Sequence, residues 1–175
     1  MSSLLIIFSY KKGELEKLSE ELKSIFKDKK ISILKGGKGK KMKSDFEIFV
    51  NYFEKADIFV AIPDVFYKLL SIGFIKIYQF SILILDNCHL CEGNHPYNNI
   101  MQEFYFYYLY RQYILNINIK YSLPYIIGFS NSPFLLENLT NKDEKSNKIL
   151  INLCENLDCQ IIKFEPISSK NKILK

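Results

Sequence analysis

Ile82-Leu83-Ile84-Leu85 runs straight into Asp86, and the polar segment Asn87-Cys88-His89 follows. A short apolar run of this kind reads as a buried strand, most often a parallel one covered on both faces. An acid at the C-terminal end of such a strand lies where open α/β sheets bind ligands. In nucleotide hydrolases that acid holds Mg²⁺ beside the phosphates. The same pattern also fits an ordinary strand end with a solvated Asp.

The rest of the chain supplies what a parallel strand needs on either side. Leu4 to Phe8, Ile31 to Leu34, Asp57 to Ile62, Ser81 to Leu85, Leu123 to Phe129 and Cys159 to Phe164 read as strands. Between them lie segments with helical spacing of apolar residues. Glu14 to Lys27 places Leu15, Leu18, Leu22, Ile25 and Phe26 on one face, with acids early and lysines late, as the helix dipole favours. Ser44 can cap a helix running to about Lys55, and Pro63 can open one from Asp64 to Ser71. Pro96 starts a long helix with Asn99 to about Leu115 as its body, and Asn147 to Leu157 forms another. The long helix carries Phe104, Tyr105, Phe106, Tyr107, Tyr108, Tyr110 and Tyr113 on all sides, so it is buried or docks on something. Strands alternating with helices predict an α/β fold with a mainly parallel sheet. One unit covers residues 1–167, and 168–175 is a polar tail.

At 175 residues the chain is long enough for one sizeable core, and 48% hydrophobic with 25% charged is normal for a globular domain. Lys and Arg number 24 against 19 Asp and Glu, a net charge of +5 that permits nucleic-acid binding without requiring it. Arg111 is the sole arginine, so bidentate Arg clamps on phosphate are nearly unavailable. No apolar stretch reaches the roughly 20 residues of a membrane span, and Leu4 to Phe8 is too short for a signal-peptide core. The expected location is the cytoplasm or nucleus. There the four cysteines would be thiols.

Two local patterns invite chemistry. Lys35-Gly36-Gly37-Lys38-Gly39-Lys40-Lys41-Met42-Lys43 mixes glycine with lysine, yet its spacing fails the phosphate-loop pattern G-x-x-x-x-G-K-[ST]. It reads either as a solvated basic loop or as a contact for a nucleic-acid backbone through Lys35, Lys38, Lys40, Lys41 and Lys43. Cys88 and Cys91, with His89 and His95, have spacing that can hold zinc and so open a metal-binding reading. A Ser-His-Asp nucleophile is not signalled, because both histidines of the chain sit in this one motif.

The longer string adds to these readings. Asp86-Asn87-Cys88-His89, followed by Asn94-His95-Pro96-Tyr97 and Ile100-Met101, resembles the Asp-Glu-Cys-His box of Dicer-type helicases, where a short linker and an Asn-His-Pro-Tyr segment also follow. Gly73-Phe74-Ile75-Lys76 is similar to that family's Gly-Phe-Leu-Lys segment. Leu123-Pro124 through Gly128 to Pro133 resembles its Leu-Pro…Gly-Leu-Thr-Ala-Ser-Pro motif, with Ser130-Asn131-Ser132 at the Thr-Ala-Ser core. Leu153 to Asp158 is similar to the helix end after that motif. Phe8-Ser9 stands at the family's Pro-Thr, and Ile62 and Asp64 stand at its nucleic-acid-contacting Thr and Gln. The resemblance covers residues 4 to 165.

The resemblance implies a RecA-like first lobe of a superfamily-two RNA helicase, its sheet lacking the strand that carries the phosphate loop. It implies ATP and Mg²⁺ as family cofactors, with Asp86, His89, Ser130 and Ser132 at the nucleotide site. It implies RNA, duplex RNA in particular, as partner, with Ser9, Asp64 and the Lys35–Lys43 loop as contacts. Asn87 stands where the family has the Glu that polarises the attacking water, and an amide cannot take that proton. The expectation is therefore a degenerate helicase lobe, without ATP hydrolysis on its own and without competent ATP binding. It would act as a scaffold or RNA-contacting module in RNA silencing or processing. The alternatives are a piece of an active ATP-dependent RNA helicase completed by a partner chain or further segment, and a small metal-binding module.

Overall fold

The computed structural model describes residues 4–8, 12–34, 56–113, 122–131 and 144–160. Five strands form one all-parallel sheet: β1 (Leu4–Phe8), β2 (Ile31–Leu34), β3 (Ile58–Ala61), β4 (Phe80–Asp86) and β5 (Tyr125–Phe129), in the order β2-β3-β1-β4-β5. The helices are α1 (Leu15–Ile25), α2 (Pro63–Ser71), α3 (Pro96–Ile100), α4 (Phe106–Tyr113) and α5 (Glu144–Leu157). The predicted mainly parallel α/β sheet is what forms.

Strand alternation sorts the apolar residues onto two faces. Ile6, Phe8, Phe59, Ala61, Leu83 and Leu85 point to one face, where Phe66, Leu69 and Leu70 of α2, Tyr97 and Ile100 of α3, and Leu153 and Leu157 of α5 close the main core. Ile58 and Val60 point the other way and meet Leu15 and Leu22 of α1 in a second, smaller core. Register follows from this sorting, since a one-residue slip would exchange the faces. Ile6 lies between Phe59 and Leu83, and Phe8 between Ala61 and Leu85. Asp57 ties the start of β3 to the start of β2: its carboxylate accepts from the Lys30 N–H at 2.9 Å, and its own N–H donates to the Lys30 carbonyl at 2.8 Å.

The ends of the elements follow local chemistry. Pro63 and Pro96 open α2 and α3, where a missing N–H costs nothing. Gly73, at φ 71°, ends α2 and lets the Phe74 N–H reach the Leu69 carbonyl at 3.0 Å. The fifth strand begins at Tyr125 rather than the predicted Leu123, because Pro124 has no N–H for a ladder. The long helix predicted from Pro96 is not uniform. A π-helical segment, Met101–Tyr105, separates α3 from α4. The widened turn accompanies buried Met101 and Tyr105, and the Tyr105 hydroxyl donates to Asp158 beyond α5 at 3.0 Å. Past it the predicted all-round aromatic helix splits: Phe106 and Tyr108 pack on the core, while Tyr107, Tyr110 and Tyr113 are exposed.

The sheet is covered unevenly. β5 pairs with β4 through Ile82↔Tyr125, Ile84↔Ile127 and Asp86↔Phe129. Tyr125 is 79% exposed, Ile127 40% and Phe129 54%, all on the face that α1 covers further along. The predicted helix from Ser44 to about Lys55 and Ile161 to Phe164 of the predicted last strand lie outside the described residues.

Candidate functional site

The carboxyl ends of the parallel strands converge on one edge of the sheet, and the box lies there. β4 ends at Asp86, and Asn87 turns the chain in the left-handed region, at φ 56° and ψ 45°. Asn is among the few non-glycine residues that enter this region at low cost. Its side-chain amide donates to the Asp86 carboxylate at 3.2 Å. A single 3₁₀ turn, Cys88–Leu90, then sends Cys88 inward and His89 outward. His89 Nδ1 lies 2.7 Å from Ser130 Oγ, which joins the box to the segment leaving β5.

Cys88 reaches its place because Gly128 has no side chain. A Cβ on Gly128 would stand 2.7 Å from Cys88 Sγ and 2.8 Å from Cys88 Cβ, closer than such atoms approach. Burial pushes the Cys88 thiol up to about 11. Cys91 is fully buried; burial first, then the neighbouring Cys88 and Cys159, push its thiol up to about 12. The Cys91 carbonyl accepts from the Asn156 amide at 2.8 Å, which pins the box turn to the end of α5.

Behind the box, His95 caps α3: its Nδ1 accepts from the Tyr97 N–H at 3.2 Å. Burial holds the His95 imidazole below its ordinary range, against the opposing pull of Asp64, with His89 pushing the same way as burial. Tyr97 is fully buried, its ring edge-on to Phe8 of β1 at 5.6 Å, and its hydroxyl donates to the Asp86 carbonyl at 2.8 Å.

Of the residues predicted from sequence, Asp86, Asn87, Cys88, His89 and Ser130 come together at this edge. Asp64 sits on the same edge in the first turn of α2, within electrostatic reach of His95. Ser9, Ser132, Lys35, Lys38, Lys40, Lys41 and Lys43 lie outside the described residues. The metal-binding reading of Cys88, Cys91, His89 and His95 is corrected. Among the described residues no three His, Cys, Asp or Glu side chains gather as metal ligands. The two thiols face the core together, while His89 faces Ser130 and His95 caps a helix, so the four donors do not meet at one point. Tyr97, Gly128 and Asn156 were missed as parts of the site. Tyr97 stood inside the recognised Asn-His-Pro-Tyr string, which is the signal that could have found it.

Known proteins match both the sequence and the fold. The Dicer protein of Schizosaccharomyces pombe is 33% identical over 88 residues, 50% of this chain and 6% of that protein. Endoribonuclease Dicer homolog 3 of Arabidopsis thaliana is 42% identical over 53 residues, 30% of this chain and 3% of that protein. Dicer-like protein 2-2 of Aspergillus niger is 36% identical over 91 residues, 52% of this chain and 6% of that protein. The chain is related in sequence to Dicer. The Dicer relationship thus spans about half of this chain and a small fraction of each relative. The helicase domain of Pyrococcus furiosus Hef matches the fold, with a TM-score of 0.63 over 94% of this chain and 29% of that one, at 19% identity. The RecA-like helicase fold expected from the Dicer-type box is therefore the fold observed. No protein-family model matches the chain.

Proposed function

We propose that this chain is a Dicer-type helicase lobe that has lost ATP hydrolysis and serves RNA silencing or processing as a scaffold or RNA-contacting module, in the cytoplasm or nucleus. The observation that carries the reading is the box itself. Asp86 sits at a strand end of a helicase-type sheet, His89 reaches Ser130 across the next strand, and Asn87 occupies the position between. The relationship to Dicer over half the chain supports the same assignment.

The residues present fit a Mg²⁺ ion only in part. Asp86 offers one hard carboxylate, the usual protein share of a Mg²⁺ site whose remaining ligands are waters and phosphates. When bound with nucleotide, such an ion neutralises charge on the phosphates. The sequence contains no G-x-x-x-x-G-K-[ST] cradle, however, and the Asn87 amide has no lone pair basic enough to take a proton from water. Asn87 instead donates to Asp86, drawing on the carboxylate that would face the ion.

RNA contact falls to the lysines of the Lys35–Lys43 segment, which bind phosphate as point charges without sequence preference. Duplex-RNA binding by the full chain should weaken steeply with salt. It should fall several-fold when Lys38, Lys40 and Lys41 are changed together to Ala, and unchanged binding would refute the RNA contact.

A second reading is favoured by one observation: among the described residues no strand pairs with the outer edge of β5, and one face of β5 is exposed. Tyr125, Ile127 and Phe129 form an exposed apolar row on the outermost of the described strands, an arrangement proteins ordinarily cover. In this reading a partner or further segment contributes a parallel strand beside β5 and restores a nucleotide-binding lobe. Coexpression with a strand–G-x-x-x-x-G-K-[ST]–helix segment would then raise the melting temperature and protect the β5 amides from exchange. No protection would refute it.

A further inference from the structure

We infer that Tyr97 is a positioning residue for the box: by holding the Asp86 carbonyl, its hydroxyl sets the turn that carries His89 to Ser130. The inference concerns the geometry of the box alone, so its failure would leave the proposed function standing.

The chain reverses direction over very few atoms here. Asp86 is the last residue of β4, Asn87 is left-handed, and His89 lies in the 3₁₀ turn immediately after. The orientation of the Asp86–Asn87 peptide decides where that turn points, because each later dihedral is built upon it. The Tyr97 hydroxyl donates to the carbonyl of that peptide at 2.8 Å.

Several features make Tyr97 a firm reference point. Its side chain is fully buried, so water cannot readily replace the hydroxyl. Its ring is lodged edge-on against Phe8 in β1. Its backbone N–H is held by His95, one residue before Pro96 fixes the start of α3. By contrast, His89 and Ser130 meet where solvent competes for both groups. An exposed contact between two side chains is a weak determinant of loop geometry, whereas a buried side chain-to-carbonyl bond is a strong one. Downstream, the seat of Cys88 over Gly128 fixes the far side of the same turn. Tyr97 and Gly128 thus bracket it, and the His89–Ser130 bond follows from the bracket.

The chain has two histidines, so the ring Cε1–H region of a carbon–proton correlation spectrum holds two signals, which His95→Gln assigns. Ser130→Ala marks the position of the His89 signal when its partner is lost. Tyr97→Phe removes the hydroxyl and keeps the ring. The expected result is a cooperative melt with the His89 signal displaced toward its Ser130→Ala position. A His89 signal unchanged from the parent chain would overturn the inference. If Tyr97→Phe does not fold, His95→Ala withdraws the cap on the Tyr97 amide together with the ring contact to Tyr97, and leaves His89 as the single histidine signal. That signal should move in the same direction, and an unmoved signal would overturn the inference. Failure of both variants to fold would also overturn it, because a positioning role requires the fold to survive.

Discussion

Gly128→Ala tests the packing that seats the box against β5. The added Cβ would lie 2.7 Å from Cys88 Sγ and 2.8 Å from Cys88 Cβ, with Leu157 Cδ1 at 3.7 Å. Both cysteine distances are too short, so Cys88 or the strand must move. Overpacking of a core costs about 1–3 kcal/mol. Removing a glycine recovers roughly 0.4–1 kcal/mol by stiffening the unfolded chain. The balance spans about 0–2.6 kcal/mol, and two contacts under 3.0 Å to a buried cysteine place it in the upper half, read as a lower urea midpoint at unchanged slope. Two second-site changes separate the contributions. Cys88→Ala removes the Sγ clash and leaves the Cβ clash, so it should rescue Gly128→Ala only partly. Cys88→Gly removes both and should rescue it more fully, after correction for its own cost in the double-mutant cycle. Strict additivity of Gly128→Ala with Cys88→Gly would refute the reasoning, as would a Gly128→Ala chain as stable as the parent.

Two further predictions follow from the titrating groups. His95 is held below its ordinary range mainly by burial and must be neutral at Nδ1 to cap α3. Its unfolded pKa, about 6.5, therefore exceeds its folded value, and the unfolded state binds more protons in the window between them. Stability should be full above that window and fall as pH drops through it; His95→Gln should flatten this part of a stability–pH curve, and an unchanged slope would refute the assignment. Cys91 is fully buried with its thiol pushed up to about 12, so little thiolate is available in the native chain. Alkylation of the folded protein near neutral pH, mapped by peptide mass spectrometry, should modify half-buried Cys154 well before Cys91; equal rates would contradict the observed burial.

Much of the sheet was legible because each strand carries its own signal. Ile31 to Leu34 was bounded correctly by its apolar alternation, and Pro63 and Pro96 opened helices where a missing N–H costs least. The π-helical segment was not legible. It depends on where Met101 and Tyr105 must sit against α5, which is a tertiary demand. The site divides in the same way. Asp86, Asn87 and His89 stood out because a short linear string carried the resemblance. Gly128 and Asn156 also lie in resembling segments, but their roles were not legible there, since these lie in contacts with Cys88 and Cys91 across tens of residues. The cysteine and histidine spacing misled for the complementary reason. Nearness in sequence put four donors together, while the buried 3₁₀ turn and the helix start turned them apart.

Steady-state ATP turnover of the full chain, with and without saturating duplex RNA, tests the central claim most directly. A chain whose box carries Asn87 and whose sequence lacks a phosphate loop should show no RNA-stimulated hydrolysis, and Asp86→Asn should leave the background unchanged. RNA-stimulated turnover that disappears in Asp86→Asn would contradict the account.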